Sequence, residues 1–166
     1  MAGQRSLTAG EIALARAAFG NRIAYAKVRL SDGPGNQPLA HLAFARGNPA
    51  ITVGATVYFR SDYCPDFAAS DVRRDSFIHE LTHVWQYQAL GMPAFFARYG
   101  VEFAKAGGDA DAMYRYRKGE DKFAEAMLEA QAAMVEHYSA ARWSGKDPAL
   151  IAKLAKNLAG SKIYGL

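Results

Sequence analysis

The chain of 166 residues has one cysteine, Cys64, so it can form no intramolecular disulfide and no cysteine-based metal site. It also lacks any run near the ~18 consecutive apolar residues of a membrane-spanning helix, so no membrane insertion is expected. Its 15 Gly and 6 Pro are too few for a fibrous or low-complexity chain. Charge of one sign is scarce as well: 20 Lys and Arg against 16 Asp and Glu leave a net +4 with no concentrated basic run. Without a recognition motif, that balance gives no case for a nucleic-acid partner. Arg5, Glu11 and Arg16 break the region where an export signal needs an apolar stretch. No Sec-type signal peptide is therefore expected, and the chain should start in the cytoplasm, with a dedicated secretion machine as its route out. What the chain does have is 51% hydrophobic residues, enough at this length for one domain, 1–166, with an ordinary core.

Thr8-Ala-Gly-Glu11 has the spacing of a capping box and predicts a helix from about Ala9 to Phe19, stopped by Gly20. Ile23, Tyr25 and Val28 suggest a short extended piece before the breaker cluster Ser31 to Asn36. Ile51 to Phe59 alternates, with Ile51, Val53, Val57 and Phe59 on one expected face, which reads as a strand with one buried side. Thereafter the chain reads as helical, over about Asp71–Leu90, Ala94–Ala106, Asp121–Trp143 and Pro148–Ala159. The expected organisation is an N-terminal helix and strands over 1–60, a helix over 71–90 and a helical half over 94–166.

His79-Glu80-Leu81-Thr82-His83 is an H-E-x-x-H pattern. Two imidazoles four residues apart share one face of a helix and can bind one Zn²⁺, which leaves Glu80 beside the metal-bound water as a general base for peptide hydrolysis. With four His in the chain, chance would give the pattern on the order of once in several hundred such chains. On a helical wheel Phe77, Ile78, Leu81, Val84 and Trp85 cluster opposite His79 and His83, so the helix should bury one half and present the other to a site.

A catalytic zinc needs a third protein ligand. The metzincin extension fails, because Gln86 stands where its Gly is required and Ala89 where its third His is required. One remaining option is a Glu from the helix Asp121–Trp143, where Glu125, Glu129 and Glu136 share an expected face. The other is Asp111, since Gly108 to Tyr114 partly resembles the aspzincin motif. His41 and His137 are weaker candidates. Tyr114, Tyr116, Tyr138 and His137 could donate to an oxyanion, Tyr116 being preferred.

Ile51 to Arg60, then Tyr63 and Pro65, then Phe77 to Gln88, with Leu7-Thr8, Glu11, Phe19-Gly20 and the late Glu129 to Tyr138, resemble the zincin-like metallopeptidase domain found with Vgr/Rhs-type secretion proteins and contractile-injection toxins. The resemblance implies an α+β zincin-like fold, with a small twisted sheet on the H-E-x-x-H helix, and Glu129 as the third zinc ligand, as in gluzincins. It departs from that family at Ala130 and His137, and Ala133 stands where gluzincins carry an Asp, so the resemblance does not carry over the acceptors to which zinc-binding imidazoles normally donate their other N–H. The expected activity is zinc-dependent endopeptidase cleavage of a peptide or protein substrate, linked to a secretion system. The alternative is a zinc-stabilised, inactive adaptor that binds another secretion component.

Overall fold

The computed structural model describes residues 3–166. The chain runs β1 (Gln4–Arg5), α1 (Ala9–Phe19), β2 (Arg29–Asp32), α2 (Pro38–Ala45), β3 (Ala50–Val53), β4 (Thr56–Phe59), α3 (Arg74–Leu90), α4 (Met92–Lys105), α5 (Leu128–Ser144) and α6 (Pro148–Leu158), with single 3₁₀ turns between several of them. It is a mixed α+β structure, mostly helical, with one four-stranded sheet in the order β1-β2-β4-β3. The β1–β2 and β3–β4 pairs are antiparallel, and β2–β4 is parallel.

The capping box forms: Thr8 Oγ accepts from Glu11 N at 3.1 Å, and Glu11 accepts from Thr8 N at 2.8 Å. Glu11 does more than cap. Fully buried, it holds Arg5 of β1 through two short bonds of 2.7 and 2.8 Å and accepts from Phe67 N at 2.9 Å, so one carboxylate ties β1, α1 and the 60s loop together. Around that tie Phe59, Phe67 and Phe77 stack in series, with centroids 4.8 and 5.1 Å apart, and join the sheet to α3. Truncating any one of these rings would cost ~3–5 kcal/mol.

Three expected elements differ. Where Ile23, Tyr25 and Val28 suggested an extended piece, Tyr25–Lys27 is a 3₁₀ turn, and the strand is β2, which runs on into Ser31-Asp32 of the breaker cluster. The continuous strand Ile51–Phe59 is a hairpin, turned at Gly54-Ala55, where Gly54 takes φ +64 as the first central residue of a type II′ turn does. The reversal pairs Thr52 with Val57, so Thr52, Val57 and Phe59 share the helix-facing side, and Ile51 and Val53 do not join Val57 and Phe59 as alternation suggested. The helix expected from Asp121 begins at Leu128: a separate 3₁₀ turn covers Phe123–Glu125, and Met127 is extended with ψ 157. Glu125 therefore leaves the expected carboxylate face and pairs with Lys122 at 3.8 Å. The short helix α2, capped by Gln37, adds an element the breaker cluster concealed.

α3 lies between the sheet and α5. Its polar half is not open to water: His79, Glu80, Thr82, His83 and Gln86 are buried along with Phe77, Ile78, Leu81 and Val84. Buried Ala130, Ala132 and Ala133 line α5, and such small side chains permit its close approach to α3.

Candidate metal centre

The i, i+4 spacing on α3 sets His79 and His83 side by side, with ring centroids 5.1 Å apart. α5 brings Glu129 against them from its first turn. Glu129 Oε2 lies 3.1 Å from His83 Nε2 and 3.4 Å from His79 Nε2, and ligand atoms of the three residues all fall within 4.8 Å of one another. A tetrahedral ion with bonds of 2.0–2.1 Å separates its ligand atoms by about 3.3 Å, and both imidazole–carboxylate spacings are close to that, so the group could hold a metal ion. All three side chains are buried.

The far nitrogens of both rings are fixed. His79 Nδ1–H donates to Glu136 Oε2 at 2.7 Å, and His83 Nδ1–H donates to Gln86 Oε1 at 2.8 Å. With Nδ1 of each ring committed, Nε2 is the nitrogen left to face Glu129, the one whose lone pair a metal would take up in place of a proton. The Gln86 amide is oriented in turn, since its Nε2 donates to Leu128 O and to Gln131 Oε1, both at 3.0 Å. Gln131 Nε2 donates to Phe123 O at 2.8 Å. The chain of amides ends on a backbone carbonyl, which fixes every flip in it. Glu136, one turn beyond Ala132 and Ala133, and Gln86 thus supply the orienting acceptors that Ala133 and His137 could not be expected to provide.

Charge balance has the same centre. Burial lowers the His79 pKa, but bonds to Glu129 and Glu136 outweigh it and hold the group up at about 10. His83 is likewise pushed down by burial and raised overall by Glu129. Burial raises Glu129, yet the two imidazoles hold its carboxyl well below the usual carboxylate range. Its place in the first turn of α5 adds the positive end of that helix. Without a metal, the carboxylate can be neutralised here by protons on the histidines, so a divalent cation would replace those protons directly.

Glu80 stands beside the pair, and its Oε2 accepts from Thr52 Oγ1 at 2.7 Å while its backbone O accepts from the same hydroxyl at 3.2 Å. The hairpin register that turned Thr52 towards α3 makes this contact. Tyr114 stacks on His79, with centroids 5.7 Å apart, and lines the same cavity as Glu80, His83 and Glu129. Burial, reinforced by the Glu129 and Glu80 carboxylates, pushes its phenol well above the usual value, so it keeps its O–H as a donor.

The other sequence candidates lie elsewhere. Asp111 is exposed in the 3₁₀ turn Asp111–Tyr114 and stands outside the metal-capable group. Tyr116, the preferred oxyanion donor, hydrogen-bonds His137 Nδ1 at 2.7 Å and lines a different surface cavity. His41 contacts Gly35 O at 2.8 Å on the exposed side of α2. Tyr138 is core, packed edge-on against Tyr164.

A relation outside the chain bears on this site. The profile of the eCIS core domain matches residues 7–91, just over half of the chain's 166 residues, and the chain belongs to that family. The matched part contains His79, Glu80 and His83 but stops short of Glu129. Over 87 residues the sequence is 33% identical to the type VI secretion system spike protein VgrG2b of Pseudomonas aeruginosa, covering 51% of this chain and 8% of that protein. The solved effector domain of Pseudomonas aeruginosa VgrG2b superposes with a TM-score of 0.66 at 27% identity, over 94% of this chain and 82% of that one. The chain is thus related to Vgr-type secretion proteins. Among the described residues no helix is long and apolar enough to cross a membrane.

Proposed function

We infer that the chain is a zinc-dependent metallopeptidase domain of a Vgr-type secretion effector, with a zincin-like arrangement in which His79, His83 and Glu129 hold Zn²⁺. The observation that carries this reading is the convergence of two Nε2 atoms and one carboxylate, with both Nδ1 atoms already committed to Glu136 and Gln86. When bound there, zinc supplies Lewis acidity towards a carbonyl oxygen and lowers the pKa of water.

The chain's own groups do the rest. Glu80, held by Thr52 Oγ1, takes a proton from the attacking water and passes it to the leaving amine. Tyr114 donates its O–H to the oxygen on which negative charge develops. β3 is the sheet edge next to this site and can hold an extended backbone by strand addition.

Elemental analysis of protein purified without a metal-affinity tag tests the first part. One zinc per chain, lost in Glu129→Ala and kept in Asp111→Ala, supports the ligand set, and no zinc after incubation with it overturns the reading. Cleavage of an unfolded protein substrate tests the second: Glu80→Gln should keep zinc and lose turnover. Stoichiometric zinc without cleavage by the wild type would favour the adaptor, with the centre serving as a structural clasp.

A further inference from the structure

A cavity of about 350 Å³ opens beside the metal centre, and Glu80, His83 and Glu129 form part of its wall. The rest is mostly apolar. Leu39 and Leu42 of α2 stand on one side, and Phe95, Phe96, Tyr99 and Phe103 of α4 on the other. Leu42 and Phe96 are 49% and 41% exposed, so large apolar side chains from two helices border a space that no part of the described chain fills. At ~30 Å³ per water-sized group the cavity holds roughly a dozen heavy atoms, the scale of one bulky side chain and its neighbour.

Two observations say what enters. The first is main-chain geometry along the floor. Arg60 N donates to Pro49 O, and the register pairs Ile51 with Tyr58 and Val53 with Thr56, so Ile51 and Val53 direct their backbone groups to β4. Ala50 and Thr52 therefore turn theirs to the open edge, and both residues line the cavity. The second is Gly100. It lies inside α4, where glycine is about the poorest residue short of proline, and a Cβ placed on it would meet nothing within 4 Å. No packing contact excludes a side chain there, yet the position borders the cavity, and a side chain would enter it.

We propose that the cleft between α2 and α4 is the specificity pocket for a bulky apolar side chain, aromatic or large aliphatic, of an extended polypeptide laid along β3. The proposal rests on the peptidase reading for its consequence in catalysis but concerns binding. The occupant is an extended segment, since pairing with the open groups of Ala50 and Thr52 needs a main chain in strand conformation with its own groups free. Preference arises from apolar area removed from water against Leu42, Phe96 and Phe103, and Gly100 keeps the entrance open.

The test uses fluorescein-labelled decapeptides of Ala and Ser with one central Phe, Leu, Ala or Asp, titrated by anisotropy onto the full chain carrying Glu80→Gln, so that turnover plays no part. Phe and Leu peptides should bind about 10- to 100-fold more tightly than Ala or Asp peptides. Gly100→Trp should bring Phe to within about twofold of Ala, while Gly100→Ala keeps most of the preference and raises thermal stability. Should the Trp variant fold poorly, Leu42→Glu, at an exposed wall position, should depress Phe binding in the same way. Equal binding of all four peptides, or a Phe preference untouched by both variants, overturns the proposal. So does decanoate that displaces the Phe peptide with higher affinity than the peptide's own, which would assign the cleft to an acyl chain. The peptidase reading fails separately: a zinc-loaded wild type that binds Phe peptides selectively and cuts none leaves the pocket standing and removes the activity, whereas cleavage indifferent to Phe does the reverse.

Discussion

Replacing Gln86 by Leu would remove a buried amide that makes three hydrogen bonds, and it separates orientation of a ligand from mere packing. Leucine nearly matches glutamine in volume, so little cavity forms, and a buried Leu gains ~1.5–3 kcal/mol of apolar transfer. Against that, His83 Nδ1–H loses its acceptor at 2.8 Å and Gln131 Oε1 loses its donor at 3.0 Å, both in a site where Gln86 itself is 2% exposed. Each orphaned buried group costs ~1–3 kcal/mol. Leu128 O is less exposed to harm, because a carbonyl in the first turn of α5 still accepts within the helix. The net expectation is a metal-free protein destabilised by ~2 kcal/mol.

The consequence for metal is separate and more telling. With no acceptor at Nδ1, the His83 proton can move to Nε2, and that tautomer has no lone pair to give. Zinc affinity should fall 10- to 100-fold, the usual effect of losing such a partner. Urea unfolding in the presence of a chelator measures the first quantity, and competition with a chromophoric chelator measures the second. Glu136→Gln, at a half-buried side chain, should weaken zinc comparably with little loss of stability, because the amide oxygen still accepts but carries no charge. A Gln86→Leu protein that unfolds more easily yet binds zinc within threefold of the wild type would refute the argument and leave Gln86 a packing strut.

Thr52→Val removes the hydroxyl that holds Glu80 at 2.7 Å without changing shape, and kcat/KM on an unfolded protein substrate should drop about tenfold with zinc content unchanged. Tyr114→Phe should lower kcat about 10²- to 10³-fold at constant KM, whereas Tyr116→Phe, which breaks only the contact with His137, should leave kcat within about twofold. The pH dependence of zinc uptake follows from His79. The metal-free folded chain keeps a proton on it up to about pH 10, against the ordinary imidazole value of 6.5, so its contribution to folding is complete below 6.5 and is lost as pH rises through 10. A zinc-bound form would lack that proton, so zinc affinity should rise with pH up to about 10, and calorimetry in buffers of different ionisation enthalpy should record at least one proton released near pH 8, that of His79 together with any still held by His83. Affinity that is flat over this range would overturn the assignment of His79 as a ligand.

The sequence carried α1 to the residue, because the capping box is a local device and its two bonds need no help from elsewhere. α3 and its paired histidines were legible from their i, i+4 spacing and the stop at Gly91, though the helix starts at Arg74 rather than Asp71, with no side chain capping it. What failed was set by partners distant along the chain. The start of α5 depends on Glu102 of α4, which accepts from Leu128 N at 2.7 Å and is itself held by Arg98 at 2.7 Å, and no periodicity within 121–143 reports that. The hairpin at Gly54-Ala55 lacks the Asn-Gly or Asp-Gly pair that advertises a two-residue turn, so alternation through it imitated one strand. Gln86 entered the sequence reading only as a residue that broke a pattern, since its partners lie 42 and 45 positions away. Periodicity also left three glutamates open on the same expected face. Family resemblance, not spacing, singled out Glu129, and the fold then set it beside the histidines while it turned Glu125 to solvent and made Glu136 a hydrogen-bond acceptor.

That division of labour has a thermodynamic consequence. Residues 7–91, the part matched by the eCIS core domain, contribute two imidazoles and Glu80, while Glu129 and Glu136 come from α5, beyond it. Sequence likeness to VgrG2b extends over 87 residues, and the structural likeness to its effector domain over 94% of the chain, so the likeness in shape reaches beyond the likeness in sequence. A metal held by both halves makes their docking part of its binding free energy. At free zinc 100-fold above its dissociation constant the folded state gains ~2.7 kcal/mol. If zinc is held as proposed, its loss should remove that gain from the α3–α5 contact first, because Glu129 and Glu136 meet the histidines there. Amide exchange after chelation should therefore quicken at the first turns of α5 before it does in α1, whose Glu11 tie to Arg5 and Phe67 is independent of the metal.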